Sequence, residues 1–460
     1  MTSFSSKSGL ALNLSTGGRY VTFMGYVAPS ATADVSASNT PGDVDPTNPV
    51  TTSYYRAVAQ LGPNGAISYT ETNAYSGDNG RAAIFDDAGD EIYTAGNAGN
   101  GGTPEPEAVV LGVGAQILAP ANAAESAQSP AQPTAVGNFN LTELGDKADK
   151  SAKDDNFRSM TIYDNVLYYT KGSGSNGVDT VYCVDTAGGT CPNGSGLPAT
   201  SATLPTPATA ISYSTNDSAL GLSSSNPGLA PTNMCVLNGF PTAIAKKATD
   251  ASDYPFGIWF ASPTVLYVAD EGAGDNTYSS SSGTYTAAAA SQTAGLQTWV
   301  FSGGQWNLAY VAQSGLGLGQ PYSVNGYPNG LNSGPGGTGL PWAPATDGLR
   351  NLTGQVNANG TVTIWATTST VSGGGDQGAD PNELVSITDD LAATSLPADE
   401  SFDTVLAPKY GTVVRGVSFT PGTVVGSSPS STAVTGPTTP TTGTSVTYTA
   451  TVTGPSGSPV

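Results

Sequence analysis

The chain has 460 residues, of which 11% are charged, and its 14 basic against 35 acidic residues give a formal net charge of −21. A nucleic acid or an anionic membrane surface needs clustered Lys and Arg, and the best basic run is Lys246–Lys247, so both are excluded as partners. With no histidine and three cysteines, a Ser-His-Asp or Cys-His catalytic arrangement, haem and histidine-ligated metals are excluded as well.

In chain order, a two-strand signature comes five times: Leu10–Val27, Arg81–Gly96, Phe157–Gly172, Phe256–Asp270 and Leu349–Thr367. Half of it returns at Arg415–Pro421 (RGVSFTP). Each copy is a short apolar run, a turn and a second run rich in Val, Ile and Tyr, the pattern of a strand pair. Further strands are predicted behind each copy: Tyr54–Leu61 and Ala66–Asn73; Ala108–Leu118 and Ala135–Leu144; Asp179–Thr186 and Ala208–Ser214; Leu296–Ser302 and Gln305–Gln313; Glu383–Asp389 and Phe402–Ala407. No segment of helical length carries a 3.6-residue period. Four strands per recurring unit predict an all-β chain folded as a six-bladed β-propeller with four-stranded blades, the last incomplete.

Polar inserts separate these strands, at Pro29–Ser53, Ala119–Thr134, Ala187–Pro205, Asn216–Asn233, Asp270–Ala294 and Gly315–Thr346, and are expected to be irregular surface loops. The first strands carry small residues (RAAIF, FGIWF, RGVSF), which suits the crowded axis of a propeller. The tryptophans Trp259, Trp299, Trp306 and Trp365 are expected to pack one blade on the next. Cys183 and Cys191 flank a Gly-containing turn and are within reach of one another if their strands face, a matter of Cα separation. The propeller is expected over residues 1–421, a Gly/Ser/Thr/Pro linker over 422–437, and over 438–460 a fragment of an Ig-like β-sandwich module, signalled by the alternation of Ser445–Gly454.

The succession SGLALNLSTGGRYVTFMGYV, DNGRAAIFDDAGDEIYTAG, YPFGIWFASPTVLYVAD, GLQTWVFSGGQWNLAYVAQ, GLRNLTGQVNANGTVTIWATT and RGVSFTP, from Ser8 to Pro421, resembles secreted bacterial six-bladed β-propeller proteins of unassigned activity. The resemblance implies that outer strands of the last blade come from a segment ahead of the first hairpin, so that the chain looks truncated at both ends. It also implies that an Ig-like repeat follows. It carries over no catalytic residue.

Carboxylates are the remaining source of chemistry. Asp86, Asp87, Asp90 and Glu91 surround one tight turn, where the other copies have STGG, YDN, ASPT or NANG, so they read as turn-forming residues. Asp43, Asp45 and Asn48 contain part of a calcium-loop pattern but lack its distal Glu. Asp270, Glu271 and Asp275, where a second strand opens into a long insert, are the calcium candidates; no other cofactor is expected. Arg81, Arg158, Arg350 and Arg415 recur beside first strands, either as ion-pair partners at blade junctions or as an axial anion site, with pairing the better-supported reading.

These features predict a secreted or cell-surface scaffold, monomeric, that binds extracellular glycan or protein through propeller loops, without membrane insertion and with no catalytic activity established. The alternative is an extracellular hydrolase or lyase working through carboxylates, with calcium. Exposed aromatics without convergent carboxylates favour the first, and three or more carboxylates converging at the ring mouth favour the second.

Overall fold

The computed structural model describes residues 10–32, 35–41, 50–97, 115–120, 135–137, 144, 156–172, 177–187, 191, 194–206, 209, 213–215, 229–231, 234–243, 252–374, 377–423, 431–435 and 449–453. Among them the structure is mainly antiparallel sheet, with one short α-helix, Thr286–Ala290. Five sheets of four or more strands follow one another along the chain, each built on one full copy of the signature.

The first sheet runs Asn13–Leu14, Val21–Tyr26, Arg56–Leu61 and Ile67–Thr72 in meander order, and the second runs Gly80–Asp86, Glu91–Gly96, Ile117–Leu118 and Ala135–Gly137. The fourth (Pro255–Ser262, Val265–Asp270, Gly295–Ser302, Gln305–Ala312) and fifth (Ala345–Val356, Thr361–Val371, Leu384–Asp390, Asp403–Leu406) repeat the order. The predicted residues 108–114 and 138–143 of the second unit lie outside the described residues.

The third sheet departs from expectation. Ser159–Tyr163, Val166–Lys171 and Thr180–Val184 form as predicted, but the fourth strand is Met234–Leu237, with Ser195–Gly196 beside it in parallel. Within the predicted Ala208–Ser214, the described strand Tyr213–Thr215 pairs only with Leu229–Pro231. Met234–Leu237 is a short buried run, MCVL, hidden between two polar inserts, and its weak local signal is overridden by complete burial.

Its register places Cys183 opposite Cys235. Cys235 is disulfide-bonded to Cys191 across a separation of 44 residues, and Cys183 is a buried free thiol. Sequence proximity had pointed to Cys183 and Cys191; the pairing turns on a strand the sequence concealed. Denatured without reductant, the protein should react with one equivalent of thiol reagent, at Cys183, and with three after reduction. Three before reduction would remove the disulfide.

Successive sheets meet at their first strands. Ala11 N–H donates to Arg81 O at 3.1 Å and Thr16 N–H to Phe85 O at 3.0 Å, joining first to second. Phe157 N–H donates to Gly96 O at 3.1 Å, and Thr170 Oγ1 to Phe256 O at 2.5 Å. The fourth and fifth first strands approach so closely that a Cβ on Gly257 would lie 2.6 Å from Arg350 O. Asn351 Nδ2 then reaches both Arg415 O at 2.5 Å and Leu10 O at 3.3 Å, and a Cβ on Gly416 would lie 2.5 Å from Leu10 O. The half copy therefore sits between the fifth sheet and the first and completes a circle. It forms no ladder with a described strand.

Gly257 is needed because the atoms opposing its missing Cβ are backbone, which cannot swing away. Gly257→Ala is accordingly expected to lower the melting temperature, read by circular dichroism. An unchanged midpoint would mean that these first strands are not crowded.

The cores lie between sheets. Trp299 and Trp306, 4% and 5% exposed, pack with Phe240 and Phe260 at the junction of third and fourth, and Phe240 stacks on Trp299 at 3.9 Å. Trp259 packs against the fourth–fifth core, and Trp365 meets Phe419 of the half copy edge-on at 5.4 Å. Beyond it, Ser431–Thr435, a strand within the expected linker, pairs antiparallel with Thr449–Thr453, and the rest of the expected Ig-like segment 438–460 lies outside the described residues.

Candidate functional site

The first strands enclose a cavity of about 510 Å³ at their turn end. All five sheets contribute: Leu12–Gly18 from the first, Ile84 from the second, Thr161–Tyr163 from the third, Ile258–Phe260 from the fourth, and Leu352 and Thr353 from the fifth. Period-two alternation sets what each strand shows. In the fourth, Ile258 and Phe260 turn toward the core shared with the third sheet, and Trp259 turns toward the fifth. Gly354 leaves the space for its indole, since a Cβ there would lie 2.6 Å from the ring. Tyr163 stacks on Phe260 at 4.5 Å, 14° from parallel.

Among the described residues the lining carries no Asp, Glu, Lys or Arg. Its polar atoms are hydroxyls, an indole N–H and the Asn13 amide, whose Nδ2 donates to Ala83 O at 2.9 Å. The hydroxyls of Thr161, Tyr163 and Thr353 and the indole N–H of Trp259 make no hydrogen bond to any described residue. Burial pushes the Tyr163 phenol up to about 12, so it stays neutral at ordinary pH. At the rim, Asp86 and Asp87 of the Asp86–Glu91 turn are engaged with the turn itself and with the first sheet. Asp86 accepts from Thr16 Oγ1 at 2.9 Å and Gly89 N–H at 2.7 Å, and Asp87 accepts from Gly17 N–H at 2.5 Å and pairs with Arg19 at 3.4 Å.

At the opposite end of the first strands lies the charged cluster. Glu271 stands between Arg158, at 3.6 Å, and Arg350, at 3.1 Å, and both guanidiniums lie over the Phe256 ring, at 6.0 and 5.6 Å. Arg81 donates to Asn156 Oδ1 and to Phe157 O; burial, with the charge of Arg158 beside it, holds its pKa well below the usual value. The described contacts of Arg158 and Arg350 are thus ion pairs across sheet junctions. Beneath them Lys171 and Asp179 form a pair at 2.5 Å, 0% and 1% exposed.

The three calcium candidates point to separate tasks. Asp270 accepts from Gly272 N–H at 2.9 Å, Tyr254 N–H at 2.8 Å and Gln297 Nε2 at 3.0 Å; burial pushes it up to about 8 against those donors. Glu271 serves the arginines, and Asp275 accepts from Thr277 N–H at 2.8 Å. Among the described residues no three His, Cys, Asp or Glu side chains are grouped to hold one metal ion. Asp43, Asp45 and Asn48 lie outside the described residues.

Two features escaped the sequence. Trp259 reads as a packing residue and Tyr163 carries no reading of its own, although their strand position sets both at the cavity. Asp389 accepts from Tyr267 at 2.6 Å and Tyr310 at 2.7 Å, and stands beside the Glu400 carboxyl, which is raised to about 7 by burial and by that neighbour. These residues are up to 133 positions apart in the chain, and no local motif joins them.

No family model matches the sequence, and no curated protein matches it. Among solved structures, periplasmic gluconolactonase PpgL of Pseudomonas aeruginosa is similar over 89% of this chain and 73% of that one, with 11% identity and a TM-score of 0.33. A likeness of that degree carries no argument about fold or activity. No helix among the described residues is long and apolar enough to cross a membrane.

Proposed function

We propose that the chain is a six-bladed β-propeller with four-stranded blades, the half copy being the innermost strand of the sixth. It acts as a secreted or surface-attached scaffold whose ligand, a glycan or a protein segment, enters the axial cavity. The circle of five sheets and one extended segment supports the architecture. The Cys191–Cys235 bond supports an oxidising, extracellular compartment.

One observation carries the binding reading: a cavity of about 510 Å³ shared by all five first strands, with polar atoms left unbonded along its wall. That volume lies in the range of ligand sites. The contact thus moves from the loops, where the sequence placed it, to the first strands. A hydrolase or lyase working through carboxylates needs them facing its substrate, and among the described residues the lining has none. Asp270 and Glu271, at the other end, are buried and bonded, which favours the scaffold reading.

The test is tryptophan emission of the full chain, and of Trp259→Phe, during titration with extracellular polysaccharide extracts and peptide pools. A response present in the parent and lost in Trp259→Phe is expected. A parent that responds to nothing, or a variant that responds equally, would sink the cavity as the site. Melting with and without calcium checks Asp270, Glu271 and Asp275: since each is already bonded, no shift in midpoint is expected, and a shift would assign an ion to them.

A further inference from the structure

The cavity's chemistry narrows its ligand. A protein partner of ordinary size needs a broad face burying roughly 1,200–2,000 Å² in total. A concave cavity of about 510 Å³ instead admits a small molecule or the end of a chain. Among the described residues no charged side chain lines it, so the usual counter-ion for a phosphate, carboxylate or amine is missing there. The net charge of −21 further disfavours polyanions on approach.

What the wall does offer is a pairing of aromatic surface with neutral hydrogen-bonding groups. Trp259, Tyr163 and Phe260 supply flat apolar area, and the hydroxyls of Thr161, Thr353 and Tyr163 act as donors or acceptors. A sugar ring has the matching character: C–H faces that prefer aromatic surface, and an equator of hydroxyls that needs neutral partners. An alkyl or aromatic ligand would leave the threonine hydroxyls unpaired, at a cost on desolvation.

We propose that the axial cavity takes an uncharged carbohydrate, its ring faces against Trp259 and Tyr163 and its hydroxyls met by Thr161, Thr353 and Tyr163. This rests on the reading of the cavity as a ligand site. Trp259 is the principal wall, held in place by the absence of a side chain at Gly354.

The experiment immobilises the full chain and probes it with neutral gluco- and manno-oligosaccharides, with uronate-containing and chitosan oligomers, and with a library of short peptides. Parent, Trp259→Ala and Thr353→Val are compared. Neutral oligosaccharides should bind, about tenfold more weakly to Trp259→Ala and roughly fivefold more weakly to Thr353→Val, the latter keeping shape while losing one hydroxyl. Circular dichroism verifies that both variants fold. Charged oligomers or peptides captured in preference, and lost in Trp259→Ala, would overturn the carbohydrate assignment while leaving the cavity as the binding site. Capture of nothing, or capture indifferent to both variants, would overturn the two readings together.

Discussion

Glu271→Ala should destabilise the protein by about 3 kcal/mol. Glu271 is the shared counter-ion of Arg158 and Arg350, and the three side chains are only 9%, 13% and 16% exposed. Removing it leaves two guanidiniums together over the Phe256 ring, each shielded from the water that would otherwise solvate it. Because Arg158 immediately precedes the first strand of the third sheet, Arg350 lies in that of the fifth and Glu271 follows the second strand of the fourth, the loss falls on the junctions that hold the circle. Glu271→Gln keeps an acceptor but no charge and should lie between. Asp275→Ala, in a loop nearby, should cost less, since it loses only a local bond to Thr277. Urea unfolding of the three variants decides the matter. Equal midpoints for Glu271→Ala and Asp275→Ala would show that the cluster does not bind the sheets together.

Stability should fall as pH rises through 7, and Glu400→Gln should remove part of that fall. Asp389 receives the hydroxyls of Tyr267 and Tyr310 and lies against Glu400, whose Oε1 accepts from Asp390 N–H at 3.1 Å. Burial, with the Asp389 carboxyl beside it, raises Glu400 from 4.5 to about 7. A carboxyl whose pKa is higher folded than unfolded keeps a proton that the unfolded chain releases. Its contribution is therefore complete below about 4.5 and lost as pH rises through about 7. Asp347, pushed to about 7, and Asp270, pushed to about 8, act in the same direction. Water around the partly exposed Glu400 screens the pair, so its share is about 1 kcal/mol. Melting from pH 5 to pH 8 tests the sign. A parent whose midpoint rises with pH, or a Glu400→Gln whose slope equals the parent's, would refute a raised Glu400.

Most strands were legible because period-two alternation and turn residues are local signals. LQTWVFSGGQWNLAYVAQ, with its Gly-Gly turn, formed as read, at Gly295–Ser302 and Gln305–Ala312. Met234–Leu237 was not legible: four apolar residues between polar inserts become a strand only because Thr180–Val184 offers them an edge inside the core. The Cys191–Cys235 pairing was hidden for the same reason. The cavity was hidden by a different ambiguity. Trp259 as a large residue on a strand is consistent with core or with a lining, and only the neighbour at Gly354 and the open side of the ring distinguish them.

The sequence by itself determined the units: five strand pairs and a half, the small residues that let first strands crowd together, and the lack of histidine and of basic clusters that excludes whole classes of chemistry. These follow from composition and short-range pattern. Only the tertiary structure decided which groups meet: Glu271 between two arginines, Asp389 beside Glu400, Cys191 with Cys235, and neutral hydroxyls around an aromatic wall at the axis. Each of these meetings joins residues far apart in the chain. Charge pairing, raised carboxyl pKa values and ligand recognition depend on distances of a few ångströms, which sheet register and packing set and local pattern does not encode.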